Sequence, residues 1–251
     1  MKRIALLGAQ VDALTMEDLH ALIAHAVAEG KRWIIANHNL HSIYLYHHDP
    51  KMGAFYARAH HVHVDGMSLV FLGKLLHLPL RREHRVTYVD WVRPLVAEAA
   101  HQGFRVFYLG SRPGVAEEGA KILRTEHPCL QMATHHGHFN TAPDSLENQH
   151  VLAAIRDYRP HILMVGMGMP RQEHWIVDHF EQIEANAILT AGACMDYVAG
   201  AVPVPPRWMG RLGLEWLYRL ASEPRRLWRR YLIEPWFILR LFLRDVWGRK
   251  G

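Results

Sequence analysis

Short apolar runs alternate with amphipathic stretches through most of the chain. Residues 3–7, 33–36, 62–64, 104–109, 129–134, 162–165 and 187–191 are runs too short for buried helices, and most end at glycine, asparagine or aspartate. They read as buried strands feeding turns. Between them apolar positions recur at helical spacing. Thr15 is a predicted N-cap, followed by acids in the first turn, an apolar face of Leu19, Leu22, Ile23 and Ala26, and a stop at Gly30. Further helices are expected from Asn39 toward Asp49-Pro50, over 52–59, 67–76 and 88–101, up to about Thr125, and over 144–158 and 171–183. In the helix over 88–101, Pro94 is tolerable only near the first turn. Residues 78–87 form a basic, irregular connection with Arg81, Arg82 and Arg85.

This alternation predicts an α/β fold with a doubly wound, largely parallel, Rossmann-like sheet. Polar residues gather just after strands: Asn37, Asn39, Asp65, Ser111, Arg112, His136, Arg171 to Glu173, and Asp196. In such sheets the carboxyl ends of the strands are where ligands bind.

The pattern changes at residue 203. Residues 1–202 are expected to form the sheet domain and 203–251 a helical, basic-aromatic appendage. From Arg207 onward there are 11 Lys/Arg against 4 Asp/Glu, so the appendage carries the excess of the +5 net charge. Trp, Phe and Leu alternate there with arginine at helical spacing. The reading is an amphipathic membrane-interface segment, with Arg225, Arg226, Arg229, Arg230, Arg240 and Arg244 on anionic headgroups and Trp228 and Trp236 at the boundary. Docking of its apolar face on the domain is the competing reading. No nucleic-acid-binding signature accompanies the basic residues. No uncharged apolar run reaches 18 residues, and no secretory signal is expected at the start. Cys129 and Cys194 form no disulfide framework, which fits a reducing compartment.

Several stretches invite chemistry. Asp65-Gly66 ends a strand, where the carboxylate either caps the next helix or acts as a general base. Gly110-Ser-Arg-Pro-Gly114 and Gly166-Met-Gly168 are ordinary turns or a diphosphate cradle. Neither has the GxGxxG of a nicotinamide-dependent oxidoreductase, the main alternative enzyme on such a sheet. The 20 histidines include His61, His63, His135, His136 and His138, but no HExxH or CxxC accompanies them, and no metal site is expected.

Taken together, the motifs resemble the WecG/TagA/CpsF glycosyltransferase family. The resemblance rests on Leu6-Leu-Gly-Ala-Gln-Val-Asp12, Asp65-Gly66, Arg85-Val-Thr87 with Asp90, Val106 to Gly110, His136-Gly-His-Phe139, Val165-Gly-Met-Gly-Met-Pro-Arg-Gln-Glu173, Gly192 to Asp196, Leu214-Glu-Trp-Leu-Tyr-Arg-Leu220 and Glu223-Pro-Arg-Arg226. Asn37 stands where the family commonly has threonine, and Tyr88 where a glycine is usual. The resemblance implies a metal-independent, inverting transfer from a UDP-sugar, with no cofactor, to a polyprenyl-diphosphate-linked sugar for exopolysaccharide or other cell-surface polysaccharide. It also implies peripheral attachment to the cytoplasmic face of the plasma membrane. By the same likeness Asp65 is the base, Arg85 meets the diphosphate and Gln172 positions sugar or phosphate. Asn37, Asn39, Asp90, Gly110, Arg112, Gly137, Gly166, Gly168, Glu173 and Asp196 are expected to line the substrates. A non-catalytic membrane scaffold is the other alternative, and a homo-oligomer is left open.

Overall fold

The computed structural model describes residues 3–204, 206, 208–209 and 213–248, apart from the side chains of Glu215 and Arg226. Eight strands are present among them: β1 (Arg3–Leu6), β2 (Ala9–Asp12), β3 (Trp33–His38), β4 (His61–Val64), β5 (Arg105–Gly110), β6 (Gln131–His135), β7 (Ile162–Gly166) and β8 (Ala187–Thr190). Six of them form one sheet in the order β4-β3-β8-β7-β5-β6, and every pairing is parallel.

Both faces of the sheet are covered, which is why its central strands β8, β7 and β5 are nearly continuous apolar runs. Successive residues of one strand enter opposite cores. Val106 and Tyr108 face α1 (Met16–Ala28), α5 (Tyr88–His101), α6 (Val115–Glu126) and α9 (Cys194–Val198). Phe107 and Leu109 face α3 (Pro50–Arg58), α7 (Leu146–Tyr158) and α8 (Arg171–His179). Thr15 caps α1 as expected, its Oγ1 accepting from the Asp18 N–H at 3.2 Å. Pro94 lies deeper in α5 than its first turn, and the helix runs through it. The missing N–H costs one helical bond, while burial of Trp91, Val92, Leu95 and Val96 holds the helix in place.

The first strand departs from expectation. β1 does not join the parallel sheet but turns back as an antiparallel hairpin with β2. Leu7 and Gly8 make the two-residue connection with φ of 55° and 77°. Paired positive φ values suit the right-handed twist of a hairpin. Leucine is an uncommon residue there; its side chain is fully buried in a third core with Ile4, Val11 and Val64. Buried Asp12 ties the hairpin to the sheet edge by accepting from the Val62 N–H at 2.8 Å.

The third core also takes in Ile43 of α2 (Leu40–His48), Leu69 and Val70 of α4 (Met67–Leu75), and part of the C-terminal segment. That segment forms α10 (Glu215–Ser222), α11 (Pro224–Leu232) and α12 (Glu234–Gly248). Ile238 and Leu241 of α12 are buried in it. Two polar ties flank them: Glu234 with His41 Nδ1 at 2.9 Å, and Asp245 accepting from the Leu7 N–H at 2.8 Å. The opposite side of α12 leaves Trp236 73% and Trp247 72% exposed, with Leu239 and Leu243 exposed between them. The tail therefore docks on the core with one face and keeps a second apolar face in the open. No helix of the described residues is long and apolar enough to cross a membrane.

Replacing Asp12 by alanine strands the Val62 N–H in the interior. We expect a loss of about 1–3 kcal/mol in urea unfolding, with Asp12→Asn, which keeps an acceptor, losing distinctly less.

Candidate active site

The carboxyl ends of the strands open into two joined cavities. The first, about 780 Å³, is lined by Asn37 and Asn39 after β3, Arg112 after β5, Gly168 and Gln172 after β7, and Thr190 to Cys194 at the end of β8. The second, about 460 Å³, lies between α4 and the tail helices. Asp65, Asn39, His41, Arg219, Arg230 and Glu234 line both.

Asp65 follows β4, its backbone N–H bonded to the His38 carbonyl at 2.8 Å. Gly66 then takes φ 131°, a conformation closed to side-chain-bearing residues, and starts α4 without a side-chain cap. Asp65 is thus not the cap of the next helix, and its carboxylate accepts no hydrogen bond from the described side chains. Its charge is felt by Arg219 and Arg230. Burial pushes Arg230 below its ordinary pKa, Arg219 adds to that, and Tyr231, Glu234 and Asp65 oppose it. Arg219 also donates to the Tyr197 hydroxyl.

The floor of the first cavity is held by buried amides. Gln172 Oε1 accepts from the Gly168 N–H at 3.1 Å and the Gly192 N–H at 3.3 Å, joining the loops after β7 and β8. Gln172 Nε2 donates to Glu173 Oε1 at 2.8 Å, which sets the direction of the amide. Glu173 is fully buried, and burial lifts its carboxyl to about 7. Beside it, Asn37 Nδ2 donates to the Thr190 carbonyl at 2.8 Å, and Tyr56 donates to the Asn37 carbonyl at 2.8 Å. His38 stacks on Tyr56 with ring centroids 3.8 Å apart. Burial, helped by His47 and His63, lowers His38 to about 3, so the ring is neutral. Cys194 lines the cavity, but burial raises its thiol pKa and leaves it a poor nucleophile.

The remaining expected residues fall into two groups. Asn37, Asn39, Arg112, Gly168 and Gln172 line the first cavity together with Asp65. Arg85, Asp90, Gly110, Gly137, Gly166, Glu173 and Asp196 stand behind its walls. Arg85 is nearly buried, with Nη1 3.4 Å from Asp90. A Cβ on Gly110 would overlap the Gly166 backbone, and one on Gly166 would overlap Gly192 and the Tyr108 ring. Those two glycines answer to close strand-end packing. Asp196 accepts from Ser111 Oγ at 2.8 Å and braces the loop after β5. Asn39 caps α2, its Oδ1 accepting from the Ser42 N–H at 3.0 Å.

The tail supplies what sequence reading did not put in the cleft. Arg219 was unassigned, although it lies in the Leu214–Leu220 motif, and Arg229 and Arg230 were expected at lipid headgroups; all three line the first cavity. Arg225, Arg240, Arg244, Trp228 and Trp236 do face solvent. The side chain of Arg226 falls outside the described residues. His63 is buried against Trp91 with ring centroids 5.5 Å apart, and burial lowers it to about 4. Among the described residues, no three His, Cys, Asp or Glu side chains converge as metal ligands.

A doubly wound sheet, a carboxylate at a strand end and arginines facing it across a cleft are the parts of a Rossmann-like glycosyltransferase. Comparison with known proteins makes the family plain. Residues 4–251 match the glycosyl transferase WecG/TagA/CpsF family, and the chain belongs to it. Among curated proteins it is 27% identical over 240 residues, 90% of this chain and 87% of the relative, to the N-acetylglucosaminyldiphosphoundecaprenol N-acetyl-beta-D-mannosaminyltransferase of Staphylococcus aureus strain MW2. The protein of the same name from strain MRSA252 matches to the same extent.

The raised Glu173 carboxyl has a signed consequence. Its stabilising contribution is full below the ordinary value of 4.5 and is lost as pH rises through about 7. Glu173→Gln removes that dependence. In urea unfolding from pH 5 to pH 8 we expect the parent to lose up to about 3 kcal/mol more than the variant.

Proposed function

We propose that this chain transfers a sugar from a UDP-sugar to a hydroxyl of a polyprenyl-diphosphate-linked sugar, with inversion at the anomeric carbon. The observation that carries the reading is Asp65: a carboxylate with no hydrogen-bonded partner among the described side chains, on the wall common to two cavities. Two cavities meeting at one base suit a donor and an acceptor that must meet there. The relatives are named for transfer of N-acetylmannosamine to N-acetylglucosaminyl-diphosphoundecaprenol. Their 27% identity supports a lipid-linked acceptor of that kind and makes UDP-N-acetylmannosamine the first donor to try.

In this reaction the acceptor hydroxyl loses its proton to Asp65 as its oxygen attacks the anomeric carbon. The bond from that carbon to the diphosphate breaks on the opposite face, and UDP leaves with the electron pair. Charge building on the diphosphate must be met by fixed cations. Arg112 and Arg229 line the first cavity and can serve. The Gly168 and Gly192 N–H groups cannot, because Gln172 already occupies them. With the charge met by arginine, the reading assigns no metal to the step.

A lipid-linked acceptor brings the reaction to a membrane surface. The outward face of α12, with Trp236, Leu239, Leu243 and Trp247 flanked by Arg240 and Arg244, has the composition for an anionic interface. We assign the protein to the cytoplasmic face of the plasma membrane, in the assembly of a cell-surface polysaccharide.

Asp65→Asn should lower turnover about 10²–10⁴-fold with UDP affinity within a factor of two of the parent by calorimetry. Near-parental turnover would remove Asp65 as the base. Trp236→Ser with Trp247→Ser should weaken sedimentation with phosphatidylglycerol vesicles about tenfold or more without shifting Tm, since neither side chain packs in the core.

A further inference from the structure

The second cavity differs from the first in its walls. Away from Asp65 it is bounded by Leu40, Met67, Leu69, Trp216, Pro235 and Ile238. Its other polar side chains are partly engaged. Asn39 caps α2, and His41 is paired with Glu234. Against the six apolar side chains a hydrocarbon would lose only water, whereas a nucleotide base would lose hydrogen bonds. At about 460 Å³ the space is of small-ligand size.

The groups that the two cavities share are informative. Asp65, Arg219 and Arg230 line both cavities, and the apolar walls belong to the second alone. The second cavity therefore brings a carboxylate, two guanidinium groups and a hydrocarbon wall into one space. That set of groups complements a ligand that joins a sugar hydroxyl, a diphosphate and an isoprenoid chain. Half-exposed Trp216 and Pro235 line this cavity, and Pro235 directly precedes the exposed Trp236 that begins the open apolar face of α12. A chain leaving the cavity beside Pro235 would meet the proposed membrane-facing surface.

Resting on the function proposed above, we infer that the second cavity holds the isoprene units nearest the diphosphate of the acceptor lipid, with Arg219 and Arg230 on the diphosphate. The site is built by two parts of the chain, α4 and α10 to α12, so it exists only while the tail is docked. The acceptor is thus recognised by its lipid as well as by its sugar, and the first cavity is left to the nucleotide donor.

Ser68, on the first turn of α4, lines the second cavity alone and takes no part in the proposed chemistry. Ser68→Phe should fill the space and Ser68→Ala should not. Farnesyl diphosphate, a soluble isoprenoid diphosphate, is the probe in calorimetry. We expect it to bind the parent and Ser68→Ala alike and Ser68→Phe about tenfold or more weaker, with UDP affinity equal in all three. In transfer assays with N-acetylglucosaminyl diphosphate carrying a methyl or a farnesyl group, Ser68→Phe should raise KM for the farnesyl acceptor and leave the methyl acceptor and kcat unchanged. Equal farnesyl diphosphate affinity in the parent and Ser68→Phe would overturn the inference. So would its displacement by a short-chain phosphatidylglycerol at equal concentration, which would make the cavity a phospholipid site. If no acceptor is glycosylated while farnesyl diphosphate still binds in the Ser68-dependent way, the proposed reaction fails and the isoprenoid site stands.

Discussion

Gln172 Oε1 receives two backbone N–H groups, from Gly168 and Gly192, and these belong to loops that follow neighbouring strands. Everything on the floor of the cleft depends on that junction. The loop after β7 and the loop after β8 carry helices to opposite faces of the sheet, so their strand ends part where a ligand must sit. An amide that bridges them sets the gap, and Glu173 fixes which end of the amide faces the glycines. The arrangement tolerates a buried carboxyl because the group is more readily neutral there than in water. The same packing makes glycine the only residue that fits at 110 and 166.

Around this floor the protein separates its polar tasks. Neutral, buried groups such as His38, Tyr56 and Asn37 stiffen the end of β3. Charged groups are kept at the cleft: Asp65 on the sheet side, Arg219, Arg229 and Arg230 on the tail side. A carboxylate and guanidinium groups set on separate elements, with room between them, leave space for a substrate that carries both a hydroxyl and a diphosphate. The tail is consequently a wall of the cleft as well as the bearer of an exposed apolar face. It is attached by apolar burial at Ile238 and Leu241 and by polar ties to His41, to the Leu7 N–H and to the Tyr197 hydroxyl.

The hydrophobic pattern determined a great deal by itself. Strands apolar on both faces, helices amphipathic and turns rich in glycine admit few arrangements other than a parallel sheet between helical layers. The gathering of polar residues after strands followed from the same reading, because it depends on local order along the chain; the choice of Asp65 among them came from the family resemblance. The motifs at 165–173 and 214–226 carried the family for a similar reason: they are contiguous. Tertiary structure alone decided which way side chains turn. Arg85 pairs with Asp90 behind the wall, while Arg219 and Arg230 reach the cleft from a segment remote in sequence. It also decided that β1 leaves the sheet, since a leucine at positive φ gives no turn signal and its burial in the third core is a long-range contact. Periodicity reports which face of an element is apolar; which neighbour that face meets is settled by long-range packing, where burial outweighs local preference.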